Sequence, residues 1–301
     1  MRKPVVACLM LQRAIACASV LTCLLAVPSG AAAADVVRPS SVTAGTTVPE
    51  GGARSLTVRC PSRAVALGAA VTQQGAGLTL QRSRPGTAAG DWRFRFAAAG
   101  AGRRGARVVL RCVRLELASG MSGARLAVST RRRSRIAIPP GESSSVEVRC
   151  RRGWTATGYG ISGGSSGDVT VAAVVPRPRG WEFELENTGS GTARAAVAGR
   201  CLKRDVPARS GGRSLRLRFQ VDRREFSDRV GPGPAGAVSH RCGANAFSTA
   251  TGSAVDPLTA IELVRSHPVG ERGGSWRFRR ATSGDEVTTH LVCLARRTQF
   301  R

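Results

Sequence analysis

The stretch GWEFELENTGSGTARAAVAGRCL at residues 180–202 occurs in similar form at two other places in the chain. The related stretches are DWRFRFAAAGAGRRGARVVLRCV at 91–113 and SWRFRRATSGDEVTTHLVCL at 275–294. Each opens on a tryptophan within alternating apolar and polar residues and runs on to a cysteine near its end. Because self-similarity at a fixed spacing is typical of repeat architectures, the chain is predicted to contain three copies of one unit.

Six of the nine cysteines follow the same spacing as these stretches. Grouped in chain order, they form pairs separated by 52, 51 and 51 residues: Cys60 with Cys112, Cys150 with Cys201, and Cys242 with Cys293. A zinc site is the alternative, but the chain has no CxxC pair and its three histidines are scattered. The regular spacing therefore predicts one disulfide within each unit.

The alternation predicts strands. In DWRFRF, Trp92, Phe94 and Phe96 fall on one face of a strand, and the two arginines fall on the other. Glycine, proline and serine clusters interrupt such runs every 8–12 residues or so, as in all-β sandwiches and barrels. We expect an all-β fold of three tandem β-sandwich-like repeats of about 90 residues. The alternative is one fused β assembly with pseudo-three-fold symmetry.

The tryptophans Trp92, Trp181 and Trp276 are the predicted core aromatics, each packed near the disulfide of its own unit. A unit of this size buries a small core, so a cross-link would add needed stability. The predicted boundaries are 1–34 for a signal peptide, then 35–118, 119–207 and 208–301 for the three units, with short connectors at 113–125 and 202–214.

The N-terminal residues predict export. Arg2 and Lys3 precede the apolar run AIACASVLTCLLAVPSG, and four alanines follow at 31–34, which is typical of a secretory signal cut after Ala34. A membrane anchor is the rival interpretation, but the run is shorter than the ~20 residues a span needs. We expect a secreted, extracellular or cell-envelope protein with no transmembrane segment after signal removal.

The net charge is +27, and Lys3 and Lys203 are the only lysines, so the excess is arginine. A GC-rich coding bias explains such a composition without function. The alternative is attraction to anionic polysaccharide, lipopolysaccharide, extracellular DNA or another polyanion. Aromatic residues make up 4% of the chain and no RNA-binding or helix-turn-helix signature occurs, so no dedicated nucleic-acid module is expected.

Several residues are candidates for ligand contact. An arginine precedes the first cysteine of every unit, on the outward face, and RRRSR at 131–135 predicts an exposed hairpin tip or edge strand, where charge also prevents unwanted strand pairing. Trp154 occurs only in the second unit and would serve either as a carbohydrate or partner contact or as core filling. The candidate binding residues are Arg59, Arg149, Arg241, Arg131, Arg132, Arg133 and Trp154.

Enzymatic chemistry has one formal candidate. GISGG at 160–164 matches G-x-S-x-G and makes Ser162 a possible nucleophile, but that motif requires a strand-to-helix turn with acidic and histidine partners. No metal or cofactor motif is found, so no cofactor is expected. The sequence favours a non-enzymatic secreted or surface-associated binding or scaffold protein. A structural envelope component that self-associates, and a serine hydrolase using Ser162, are the alternatives.

Overall fold

Alternating apolar and polar residues produce a structure made of strands. The computed structural model describes residues 36–300 except 76, 101, 164–167, 231–235, 256–260 and 281–285. Every named element in the described part of the chain is a β-strand, which confirms the all-β prediction. Those residues accordingly include no helix that is long and apolar enough to cross a membrane.

The strands fall into three sets of six. The first set is β1 (Val36–Val48), β2 (Ala53–Arg59), β3 (Val65–Gln74), β4 (Leu78–Pro85), β5 (Asp91–Ala98) and β6 (Arg104–Glu116). After the short β7 (Met121–Ser122), the second set is β8 (Val128–Ile138), β9 (Ser143–Arg149), β10 (Trp154–Ser162), β11 (Val169–Arg177), β12 (Gly180–Asn187) and β13 (Ala193–Lys203). The hairpin of β14 (Asp205–Ser210) and β15 (Arg213–Arg218) precedes the third set.

The third set is β16 (Val221–Arg229), β17 (Gly236–Arg241), β18 (Ala246–Val255), β19 (Ile261–Val269), β20 (Gly273–Arg280) and β21 (Glu286–Ala295), and β22 (Gln299–Phe300) follows it. The pairing is antiparallel and has the same order in every set. The last strand lies between the first and third strands, as β6 lies between β1 and β3, and the fifth lies between the second and fourth, as β5 lies between β2 and β4.

The three predicted disulfides are present, and each belongs to the apolar core of its own set. Cys60–Cys112, Cys150–Cys201 and Cys242–Cys293 lie in the same clusters as Trp92, Trp181 and Trp276 respectively. All three indoles are fully buried. The strand β5 shows why: its apolar residues are buried and Arg93 and Arg95 are exposed, as strand alternation requires.

The sets are joined to one another by further strand contacts. Backbone pairing links β4 to β10 at Ser83 and Ile161, and links β11 to β18 at Val174 and Ser253. The fourth strand of the third set, β19, lies against β3 of the first set. Each set therefore contacts both others, and residues 33–301 form one compact unit.

The third strands, β3, β10 and β18, meet where each contains a β-bulge next to a disulfide. The bulged residues are Leu67, Thr157 and Thr249. A Cβ placed on Gly158 would lie 2.0 Å from the carbonyl oxygen of Leu67, and one on Gly68 would lie 2.1 Å from that of Thr249. Only glycine allows backbones this close. We call this contact the waist.

A fourth sheet closes one side of the waist. Its strand order is β22-β15-β14-β7. Val206 of β14, Leu217 of β15 and the neighbouring Phe219 form one buried cluster with Leu67, which we call the capping cluster. The β14–β15 hairpin occupies much of the segment 202–214, which the sequence predicted to be a simple connector. The predicted boundary at residue 207 falls within β14.

Three arginines, two of them buried and the third half-buried, connect the sets in a closed cycle. Arg111 on β6 donates to the carbonyl oxygen of Gly270 in the β19–β20 turn. Arg200 on β13 donates to the carbonyl of Asp91, where β5 begins, at 3.2 Å, and Arg223 on β16 donates to the carbonyl of Pro178 between β11 and β12 at 2.9 Å. The first set thus reaches the third, the second reaches the first, and the third reaches the second.

The third arginine sits on a different strand from the other two. Arg111 is paired across the sheet with Ser41, and Arg200 with Thr130, and both donate to these hydroxyls. In the third set the arginine is on the other strand of the pair. Arg223 lies on the first strand, β16, and its partner on the last strand, β21, is Val292. Burial lowers the pKa of Arg111 and of Arg200 to about 10, so both stay charged at neutral pH.

Replacing Gly158 by alanine should destabilise the fold by about 3 kcal/mol or more. The added methyl group would overlap the carbonyl oxygen of Leu67, and a main-chain atom cannot move aside as a flexible side chain can. Gly105→Ala is the control, since no atom lies within 4 Å of its Cβ position, and it should change stability by less than about 1 kcal/mol. Denaturant unfolding of the oxidised protein measures both. Similar stability of the two variants would contradict the close packing at the waist.

Arg200→Ala should destabilise the protein by about 2–4 kcal/mol, because it leaves the Asp91 carbonyl without this donor and opens a cavity between two sets. Arg194→Ala, on the exposed face of the same strand, should cost no more than about 0.5 kcal/mol. Thermal unfolding at neutral pH compares the two. A loss for Arg194→Ala as large as for Arg200→Ala would show that the cycle adds nothing special.

Candidate functional site: a basic cleft between β8 and β9

The second set has an open side. Strand β8 ends one six-stranded sheet and β9 ends another, so no further strand covers either edge. Arg131 and Arg133 on β8 are paired with Gly199 and Val197, whose face is the core face of β13, whereas Arg132 is on the opposite face. Two of the three consecutive arginines therefore face the gap between the sheets.

The gap is a cleft of about 420 Å³ lined by Arg131, Arg132, Arg133, Glu147, Val148 and Arg149. The arginine run and Arg149, predicted separately from the sequence, thus meet in one place. The Arg149 side chain is 70% exposed and lies 2.6 Å from a carboxylate oxygen of Glu147. Their hydrogen bond lowers the pKa of Glu147 and raises the pKa of Arg149. The guanidinium groups of Arg131, Arg133 and Arg149 against the one carboxylate of Glu147 leave the cleft positive.

The positive charge continues from the cleft onto β4 and β5. Burial lowers the pKa of Arg84, and repulsion from Arg82, Arg132 and Arg93 lowers it further. Arg132 therefore belongs both to the cleft and to this second group of cations. Neither Arg93 nor any arginine of the 131–133 run forms an ion pair with another described residue. The surface consequently presents cations that have no internal counterion.

An acidic strip borders the cleft on β12. Glu182 is paired across the strands with Glu147, and Glu184 follows on the same face. Arg177 on the neighbouring β11 donates to Glu182, so part of this strip is neutralised within the same hairpin. Counted from the buried tryptophan, Glu182 and Glu184 occupy the strand positions that Arg93 and Arg95 occupy on β5 of the first set. A polyanion in the cleft would be repelled by this border.

The other candidate binding residues lie away from the cleft. Arg59 on β2 is 75% exposed and its Nε atom is 3.5 Å from a carboxylate oxygen of Asp91. Arg241 is exposed at the end of β17. Neither lines the cleft, so Arg149 is the one member of that predicted trio found there. Trp154 is half-buried and packs against the core of the second set. This position agrees with the alternative that it fills the core.

Ser162 lies at the end of a strand. It is the last residue of β10, with its backbone paired to Arg82 and Ala196, and residues 164–167, where the turn of a nucleophile elbow would continue, lie outside the described residues. Its hydroxyl bonds no histidine or carboxylate within the described ranges. The glycine at 160, the first of the motif, is required by packing, since a Cβ there would lie 2.3 Å from the carbonyl oxygen of Ser83. Its partner glycine at 164 lies outside the described residues.

Two histidine–carboxylate pairs were not predicted from the sequence. Nε2 of His240 lies 2.8 Å from a carboxylate oxygen of Asp228, which also accepts from Thr289. His290 lies 3.6 Å from Glu225 because β16 and β21 are paired at those residues. No group of three or more metal-binding side chains is found in the part of the chain that the structure describes.

Neither a scan against protein-family models nor a search of curated proteins finds a match to this chain.

His290 should make the fold sensitive to mild acid. Burial lowers its pKa below the ordinary 6.5, against a smaller opposing effect of Glu225, so the folded protein keeps the imidazole neutral. Below about pH 6.5 the unfolded chain binds this proton more readily, and stability falls as the pH falls. His290→Gln should therefore lose less stability than the parent between pH 7.5 and 5. Denaturant unfolding across this pH range measures the stability of both proteins, and parallel slopes would contradict the prediction.

Proposed function

We propose that the protein is a secreted, non-enzymatic binding protein in which the basic cleft between β8 and β9 holds an anionic polymer. The observation that carries the proposal is the meeting of Arg131, Arg133 and Arg149 at an open sheet edge. Guanidinium groups bind sulfate, phosphate and carboxylate groups through paired hydrogen bonds. An edge cleft is also open along its length, which suits a chain-like ligand better than a compact one.

The electrostatics of the free protein favour such a ligand. Arg82, Arg84, Arg93 and Arg132 repel one another, which is the reason that the pKa of Arg84 is lowered beyond the effect of burial. A bound polyanion would relieve this repulsion, whereas a neutral polymer would not. Some arginines elsewhere are paired with carboxylates, as Arg38 is with Glu116 and Arg218 with Asp205, and such a pairing would leave less charge for a ligand.

The proposal includes the architecture and the compartment. The three strand sets would be copies of one unit, fused into a pseudo-three-fold assembly instead of three independent sandwiches; the contacts of β4 with β10 and of β11 with β18 support this arrangement. The three disulfides are consistent with an oxidising compartment outside the cytoplasm. Residues 1–34, the predicted signal peptide, would direct the chain there.

The test compares dextran sulfate with neutral dextran over a salt series. We expect saturable binding of dextran sulfate that weakens with salt, and no binding of neutral dextran. Arg131→Gln with Arg133→Gln should weaken binding at least tenfold and lower the slope of log affinity against log salt by about two. The matched control removes the same charge from the exposed positions Arg213 and Arg216 on β15, and it should change affinity less than twofold.

Two further variants sharpen this comparison. Glu147→Gln should strengthen binding, because it frees Arg149 from its ion pair and removes from the cleft a negative charge that repels the anionic polymer. Arg59→Gln with Arg241→Gln tests the alternative that all three units share one contact, and it should have little effect if the cleft is the site. Equal losses in every arginine double variant would mean that net charge alone drives binding, and the proposal would then fail.

A further inference from the structure

A second cavity lies beside the waist, between all three sets. Its volume is about 470 Å³, and its lining comes from β3, β10 and β18 together with β4, β11 and β19. Ala69, Tyr159 and Ala250 line it directly next to the waist residues. The waist residue Thr249 lines the cavity itself, and the cavity shares no lining residue with the basic cleft.

The chemistry of the lining differs from that of the surface. No described residue that lines the cavity carries a charge, although the chain as a whole has a net charge of +27. Apolar side chains such as Leu78, Ile161 and Val174 form much of the wall. An ionised ligand would lose its hydration there without gaining a counterion. The cavity is thus suited to an uncharged molecule and not to the polymer proposed for the cleft.

Several hydroxyl groups of the lining have a donor that is not used within the described residues, and one of them has no partner at all. Ser83 accepts a hydrogen bond from the indole of Trp92, and Ser266 donates to Thr251. The hydroxyl of Tyr159 has no hydrogen-bond partner among the described residues. Burial raises the pKa of Tyr159 to about 12, so the group keeps its proton at physiological pH and is able to donate.

The position of Tyr159 is fixed before any ligand arrives. Its ring packs against Trp181 with 4.7 Å between ring centroids and against Phe183 at 5.8 Å. The corresponding place on β3 is held by Ala69, and on β18 by Thr251, both of which are small. Of the three sets, the second alone therefore places a phenolic hydroxyl beside the cavity.

We propose that this cavity binds an uncharged, largely apolar small molecule that accepts a hydrogen bond from Tyr159. Its volume falls within the range of about 300–1,000 Å³ usual for ligand pockets with mostly apolar walls and a few polar groups. At about 30 Å³ for each water-sized group, it holds roughly fifteen non-hydrogen atoms.

The first experiment titrates the oxidised protein with N-phenylnaphthylamine, an uncharged fluorophore of suitable size. We expect saturable binding at one site per chain, with no displacement by dextran sulfate. Ala69→Phe should weaken binding at least tenfold by filling the cavity, while Ala137→Phe, at an exposed position on β8, should change it less than twofold. Equal affinity of the Ala69→Phe variant and the parent would overturn the proposal.

The hydrogen bond has its own test. A medium-chain methyl ketone should compete with the fluorophore better than the alkane of the same length. Tyr159→Phe should weaken the ketone about tenfold and leave the alkane within twofold, because only the ketone accepts the phenolic proton. Equal losses for both competitors, or for neither, would remove Tyr159 from the site.

A measurement on the unmodified protein guards against variants that fail to fold. Methyl NMR signals of Leu78, Ile161 and Val174 should shift together on titration with the fluorophore and saturate at one equivalent. Signals of Val206 and Leu217, which lie in the capping cluster, should not move. Absence of any saturable shift at the cavity residues would overturn the proposal whatever the polymer experiments show, since the two sites are separate.

Discussion

The waist is the contact on which the rest of the structure depends. Gly68 and Gly158 bring three strands from different sets so close that their main-chain atoms touch, and this distance leaves no room for side chains. Once the backbones meet there, the neighbouring fourth strands lie against the third strands, and the arginines at 111, 200 and 223 reach turns of another set. The capping cluster containing Leu67 and the uncharged cavity occupy what remains beside the waist.

Part of the arginine excess has a structural use. Arg111, Arg200 and Arg223 bond main-chain carbonyls of a neighbouring set, whereas the arginines at 131–133 lie at a surface without counterions. Overall charge therefore says little about which arginines bind a ligand. The second set also departs most from the others, because it carries the arginine run, the acidic strip and Tyr159. If the sets are copies of one unit, as proposed, they would be free to diverge in this way once the waist fixes their packing.

The sequence predicted those features that depend on short-range pattern or regular spacing. Alternation in DWRFRF placed Trp92, Phe94 and Phe96 in the core, and the spacing of the cysteines gave the three disulfides. Contacts between sets leave no such pattern, because strand pairing such as that of Ser83 with Ile161 uses backbone groups that every residue possesses. For the same reason Arg149 could not be placed beside the arginine run, nor His290 beside Glu225. The β14–β15 hairpin was missed because its short strands surround the turn residues SGG.

The disulfides also determine how the chain would respond to pulling. Each one joins the end of a second strand to the last strand of the same set, across a sequence separation of 51 or 52, and so removes the residues between its two cysteines from the path between the chain ends. Under tension, only the segments outside these loops could lengthen, and those include the arginine run on β8 and the β14–β15 hairpin. A polymer attached at the cleft would thus load the part of the second set that lies outside its covalent loop. Mechanical compliance would be concentrated between the loops, while the disulfide-closed cores stayed short.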